Sequence, residues 1–87
     1  MNEVQIKDLK NTSLIEKEID ILVNMIGAFV IVARENYYIS LTTEESKIRY
    51  EKTLWMLNYI QQCLLIDRDN WNYEYSRLYN DYNKGGE

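Results

Sequence analysis

Asp67, Asp69 and Asn70 are the side chains whose types and spacing come nearest to a chemical motif, because alternating acids and amides open a calcium-binding loop. Such a loop needs glycine at its sixth position and a bidentate glutamate at its twelfth, where this chain has Asn72 and Leu78. Capping a helix is the better use for these aspartates. Histidine is absent, which removes the commonest general base and metal ligand. The acidic pairs Glu16/Asp20 and Glu44/Glu45 fall on helical turns where dipole and solubility account for them. Cys63 lies in an apolar stretch with no second cysteine and no basic neighbour to activate it. Gly27, Gly85 and Gly86 build no phosphate-cradling loop. The expectation is a chain that is not an enzyme and takes no cofactor and no metal. A catalytic site would have to be assembled from tyrosines, carboxylates and Arg34, Arg49 or Arg68.

Binding is the chemistry the residues favour. Five aromatics fall between Asn70 and Asn83, and tyrosine, tryptophan and arginine are the types that dominate contact hot spots. Trp71, Tyr75, Leu78, Tyr79 and Tyr82 recur at helical spacing and are expected to cover the rest of the fold. Tyr73 is off that stripe. With Asn70, Glu74, Arg77 and Asn80 it forms the expected partner-binding surface. Direct nucleic-acid binding is disfavoured by a net charge of −4 and by scattered bases, and residues 67 to 87 hold five acids against three bases. Mimicry of DNA by Asp67, Glu74 and Asp81 fails on density, since roughly 10 Å separates successive members at 1.5 Å per residue, against about 1.7 Å of duplex axis per charge. A dimeric DNA-binding regulator using a helix pair is the alternative reading; its basic patch would be Lys47, Arg49 and Lys52, interrupted by Glu44, Glu45 and Glu51. A structural or assembly subunit is the third.

These side chains must be carried by very few elements. Eighty-seven residues make one domain, 1–87, with 46% hydrophobic residues and no proline. Residues 21 to 33 carry no ionisable acid or base, and 53 to 66 only Tyr59 and Cys63. Each spans roughly 20 Å as helix, short of the ~30 Å of a bilayer core, so no membrane span is expected. Ser13 and Glu16 fit a capping box that starts a first helix over 13–36. Its core stripe is Ile15, Ile19, Leu22, Val23, Ile26, Phe29, Val30 and Ala33, with Glu16, Lys17, Asp20, Asn24 and Gly27 left for water. Thr42 and Glu45 start a second helix over 43–66, with Tyr50, Leu54, Leu57 and Leu64 on one side and Ile48, Trp55, Tyr59 and Ile66 nearly opposite. Asp67 or Asp69 caps a third helix over 69–83, which Gly85 and Gly86 end. Residues 37–42 read as a connector with a possible short extended piece, and 1–12 as a short arm or helix.

The fold class is therefore all-α: an antiparallel helical hairpin plus a third C-terminal helix, a small helical bundle. A second apolar stripe on the first helix, Leu14, Ile21, Met25, Ala28 and Val32, calls for cover and predicts a homodimer, with Gly27 and Ala28 letting two backbones approach. The segment from Met1 to Asp8 lacks a signal-peptide pattern and the single cysteine suits a reducing compartment, which predicts a cytoplasmic protein. Ten Ile, nine Asn and eight Tyr suggest AT-rich codons. Together with the small size and acidity, that composition suggests a phage or mobile-element product that binds and blocks a host protein, with a defence nuclease complex as one such target.

Overall fold

The computed structural model describes residues 1–37 and 40–85. Tyr38 and Ile39 of the expected connector, and Gly86 of the expected helix end, lie outside the described residues. Two helices make up nearly everything described: α1, Glu3–Val32, prolonged by a π-helical turn over Ala33–Tyr37, and α2, Glu44–Gly85. No strand occurs among the described residues, and no helix there is long and apolar enough to cross a membrane.

α1 begins ten residues before the expected Ser13. Asn2 caps it: its side chain accepts from Gln5 N at 2.9 Å while Gln5 Oε1 accepts from Asn2 N at 3.0 Å, a complete capping box. Residues 3–12 are therefore helix, and Ser13 and Glu16 lie mid-helix. α2 is capped by Thr43 rather than Thr42; its Oγ1 accepts from Ser46 N at 3.1 Å and its carbonyl from Lys47 N at 3.1 Å. No third helix begins at 69. The chain runs through Asp67 and Asp69 without a break as far as Gly85, because neither proline nor glycine interrupts it and the residues that turn inward keep one period throughout.

That period is the organising fact of the fold. On α1 the residues turned inward are Gln5, Leu9, Thr12, Glu16, Ile19, Val23, Ile26, Val30 and Ala33, and on α2 Lys47, Tyr50, Leu54, Leu57, Gln61, Leu64, Arg68, Trp71, Tyr75, Leu78 and Tyr82. Steps of three and four alternate along this line, with Ser13, Ile15, Asp20 and Gly27 of α1 and Thr53, Leu65 and Glu74 of α2 half-buried at its flanks. This is the heptad spacing that keeps one seam facing one partner. The helices are antiparallel, as shown by the pairs Val23–Gln61, Asp20–Arg68 and Asp8–Tyr82, whose separations grow from 38 to 48 to 74 residues. The molecule is a two-stranded coiled-coil ribbon measuring 67 × 15 × 15 Å.

The seam is densest near the connector, where Val30, Ala33 and Leu54 are buried and Ile26, Tyr50 and Leu57 pack against them. Toward the termini it turns polar and aromatic. Thr12 is buried and satisfied by donating to the Asp8 carbonyl at 2.7 Å. Arg68 reaches Asp20 at 2.6 Å, and Gln61 Nε2 donates to the Val23 carbonyl at 3.1 Å. The expected core stripe of α1 is thereby corrected: Leu22 and Phe29 are exposed, whereas Glu16, Asp20 and Gly27, expected to face water, are half-buried. With only one partner helix, a seam two positions wide per heptad is all that α1 can bury.

Candidate protein-docking face

Opposite its seam, α2 carries a row of large apolar side chains. Ile48, Trp55, Tyr59, Ile66 and Tyr73 follow one another at intervals of seven, four, seven and seven, which keeps them on the outer side of a helix whose seam also repeats by sevens. Trp55, Tyr59 and Tyr73 are 74%, 72% and 71% exposed, values at which an indole or phenol ring gains almost nothing from its own chain. The row extends about 37 Å at 1.5 Å per residue. Around Trp55 it widens into a shallow, mainly apolar hollow lined by Ile48, Glu51, Lys52, Trp55 and Met56, and Met56 and Ile60 carry the apolar surface on toward α1. Aromatic rings beside an aliphatic floor with a few charges at the rim are what a protein partner buries at the centre of a contact.

The expected partner-binding residues lie near the far end of this row. Asn70, Tyr73, Arg77 and Asn80 are exposed and Glu74 is half-buried, and the steps of three and four between them place all five on one side of α2. Arg77 is not waiting for a partner. It donates from Nε to Glu74 Oε2 at 3.0 Å and from Nη1 to Asp81 Oδ2 at 3.1 Å. The hydrogen-bonded guanidinium holds the Glu74 carboxyl below its ordinary value, and Glu74 in turn pushes Arg77 upward, so both stay charged at neutral pH. Exposed pairs of this kind contribute little to stability; here they fix the side chains beside Tyr73.

Of the five residues expected to cover the fold, Trp71, Tyr75, Leu78 and Tyr82 enter the seam, and Tyr79 is exposed, its ring 6.4 Å from that of Tyr75. Tyr82 donates its hydroxyl to Asp8 Oδ2 at 2.9 Å and thereby closes the terminal end of the ribbon.

The expected self-association stripe of α1 is also on the outside. Leu14, Ile21, Met25, Ala28 and Val32 are all exposed and point away from α2. Gly27 is the exception to that expectation. A side chain there would meet Gln61 Nε2 at 2.8 Å, so the space left by this glycine is filled by α2 of the same chain and not by a second backbone.

The basic cluster of the DNA-binding alternative is divided by the fold: Lys47 is drawn half-buried to the seam while Arg49 and Lys52 stay outside among Glu45 and Glu51. No group of three acid or cysteine side chains comes together among the described residues to hold a metal. The chain matches no family model, no curated protein and no solved structure.

Sequence reasoning set Ile48, Trp55, Tyr59 and Ile66 on one side of a helix but gave them no partner role, and passed over Met56 and Ile60. The signal was present: only Glu51 and Lys52 bring charge to the outer surface between 50 and 66.

Proposed function

We propose that this chain is a non-enzymatic docking module, a helical hairpin whose outer surface occupies a functional site on another protein. The reading is carried by the row Ile48, Trp55, Tyr59, Ile66 and Tyr73, left exposed by the fold on the outer side of α2, with Met56 and Ile60 beside its densest part. Its contiguous part is Trp55, Met56, Tyr59 and Ile60, and clustered exposed aromatic and aliphatic side chains of this kind mark interaction sites on soluble proteins. A small acidic inhibitor of phage or mobile-element type, acting in the cytoplasm on a host protein such as a defence nuclease, fits an acidic rod of this size; that part rests on analogy between small proteins. Self-association through the outer side of α1 belongs to the same proposal, since α1 presents its own apolar stripe there.

The test is quantitative binding. Tagged wild-type chain would be used to capture proteins from a low-GC bacterial lysate, and the recovered protein, purified alone, would be titrated with wild type, Trp55→Ala and Tyr73→Ala. Both exposed residues can be truncated with the melting temperature held, and at a hot spot each should weaken binding by roughly 1 to 2 kcal/mol or more. Affinity unchanged in both variants would place the contact elsewhere and remove the observation on which the reading stands.

A further inference from the structure

We propose that two copies of this chain pair side by side and antiparallel, through one broad face of the ribbon, about a two-fold axis that crosses the molecule near Phe29 and Ile60. This rests on the self-association put forward above, moves its contact from the outer side of α1 to a broad face that shares only Met25 and Val32 with the outer stripe, and adds the direction.

A two-helix ribbon has two broad faces, one on each flank of the seam, and here they differ in kind. One flank carries Ser13, Asp20, Gly27 and Arg34 from α1 against Glu51, Asn58, the half-buried Leu65 and Asn72 from α2, and it holds the Asp20–Arg68 pair and the Gln61 amide. The other carries Leu22, Met25, Phe29 and Val32 from α1 beside Met56 and Ile60 from α2, all six exposed. Both helices contribute to it, so it is flat and shared rather than a single ridge.

The antiparallel pairing also brings the two charge-free stretches into register. Residues 21–33 of α1 lie against 53–66 of α2, with Asp20 and Arg68 at one limit and Arg34 and Glu51 together at the other. The result is an uncharged belt about 20 Å long, and the apolar broad face is its widest open part.

Area argues that a second copy covers it. The chain exposes 6833 Å², whereas a compact monomer of 10.5 kDa exposes about 5,400 Å². Its radius of gyration is 19.4 Å against about 12 Å for a compact chain of this length. The excess of roughly 1,400 Å² exceeds the ~800 Å² that each partner contributes to a standard interface. A two-fold axis makes the face its own complement and joins two hairpins into a four-helix bundle, the usual way for such surfaces to be buried.

Charge selects the direction. On the terminal side of the belt, residues 1–20 and 67–85 carry nine acids against six bases, while on the connector side residues 34–37 and 40–52 carry four of each. Parallel pairing would set two net-negative ends together, and antiparallel pairing sets each beside or beyond a neutral connector end. Like charges brought together across an interface oppose association.

The experiment uses the full chain. Light scattering at micromolar concentration should give twice 10.5 kDa; a single-chain mass overturns both the self-association and the inference. Ile60→Glu should reduce the mass to one chain with its helical signal kept, and Asn58→Glu, exposed on the polar flank, should leave the dimer intact; the reverse pattern overturns the face. The direction is read without burdening the interface. Spin labels on Lys10→Cys in a Cys63→Ser background should lie about 57 Å apart, twice the rise from residue 10 to the axis near Phe29. A separation under about 25 Å would mean a parallel pair and overturn the arrangement while leaving the dimer standing.

Discussion

Gln61 and Gly27 show how a polar residue comes to sit in the seam. The glycine leaves the Val23 carbonyl open on the side facing α2, and Gln61 crosses to use it. Gly27→Ala should be close to neutral, because about 1 kcal/mol of helix propensity is set against displacement of that amide and loss of its hydrogen bond. In a Gln61→Ala background nothing opposes the propensity gain, so the same substitution should stabilise by about 1 kcal/mol; urea midpoints of the four chains check this, and additive effects would show that the two residues do not communicate. At the terminal end, the Tyr82 hydroxyl bonded to Asp8 is raised above its ordinary value of 10.0. The phenol is thus held neutral in the folded chain, so its contribution is present below about pH 10 and lost as pH rises through the folded value. The wild-type melting temperature should fall more steeply above pH 10 than that of Tyr82→Phe; parallel curves would show that the contact carries no weight.

Among the elements, α2 is where expectation and structure part most clearly, and the reason is physical. The stripe Tyr50, Leu54, Leu57, Leu64 was legible as a packing face, and so was Trp71, Tyr75, Leu78, Tyr82, but Arg68 stands between them. A charged seam residue among Asp67 and Asp69 reads as a cap when no partner is in view. What settles its role is Asp20, 48 residues away, and a distant partner leaves no local signal. The arm 1–12 was illegible for the same reason, since Leu9 and Thr12 gain a partner only once α2 continues to its end. Continuity of α2 makes a sharp prediction for Asn70→Pro. Proline is welcome in the first turn of a helix capped by Asp69, but inside an unbroken helix it costs about 3 kcal/mol or more. Thermal melting should show the large loss; a tolerated proline would restore the break at 69.

As a whole, the molecule is a rod whose cohesion is unevenly distributed. Leu54 is 3% exposed and Ala33 fully buried, both near the connector, and among the described residues of the terminal third only Leu9 and Thr12 are comparably enclosed. Amide exchange should therefore be slowest between about residues 19 and 33 and between 53 and 64, with protection falling toward both termini; uniform protection would mean that the terminal aromatics stabilise the rod as well as the aliphatic seam does. The same geometry governs how such a chain is able to change length over evolutionary time. In a hairpin, each helix is the ruler for the other. An insertion of one heptad in α1 shifts every later residue past its partner unless α2 gains a heptad at the facing position, so viable insertions and deletions must arrive as matched pairs on the two arms, and a lone one is tolerated only at the connector or beyond the outermost seam residues.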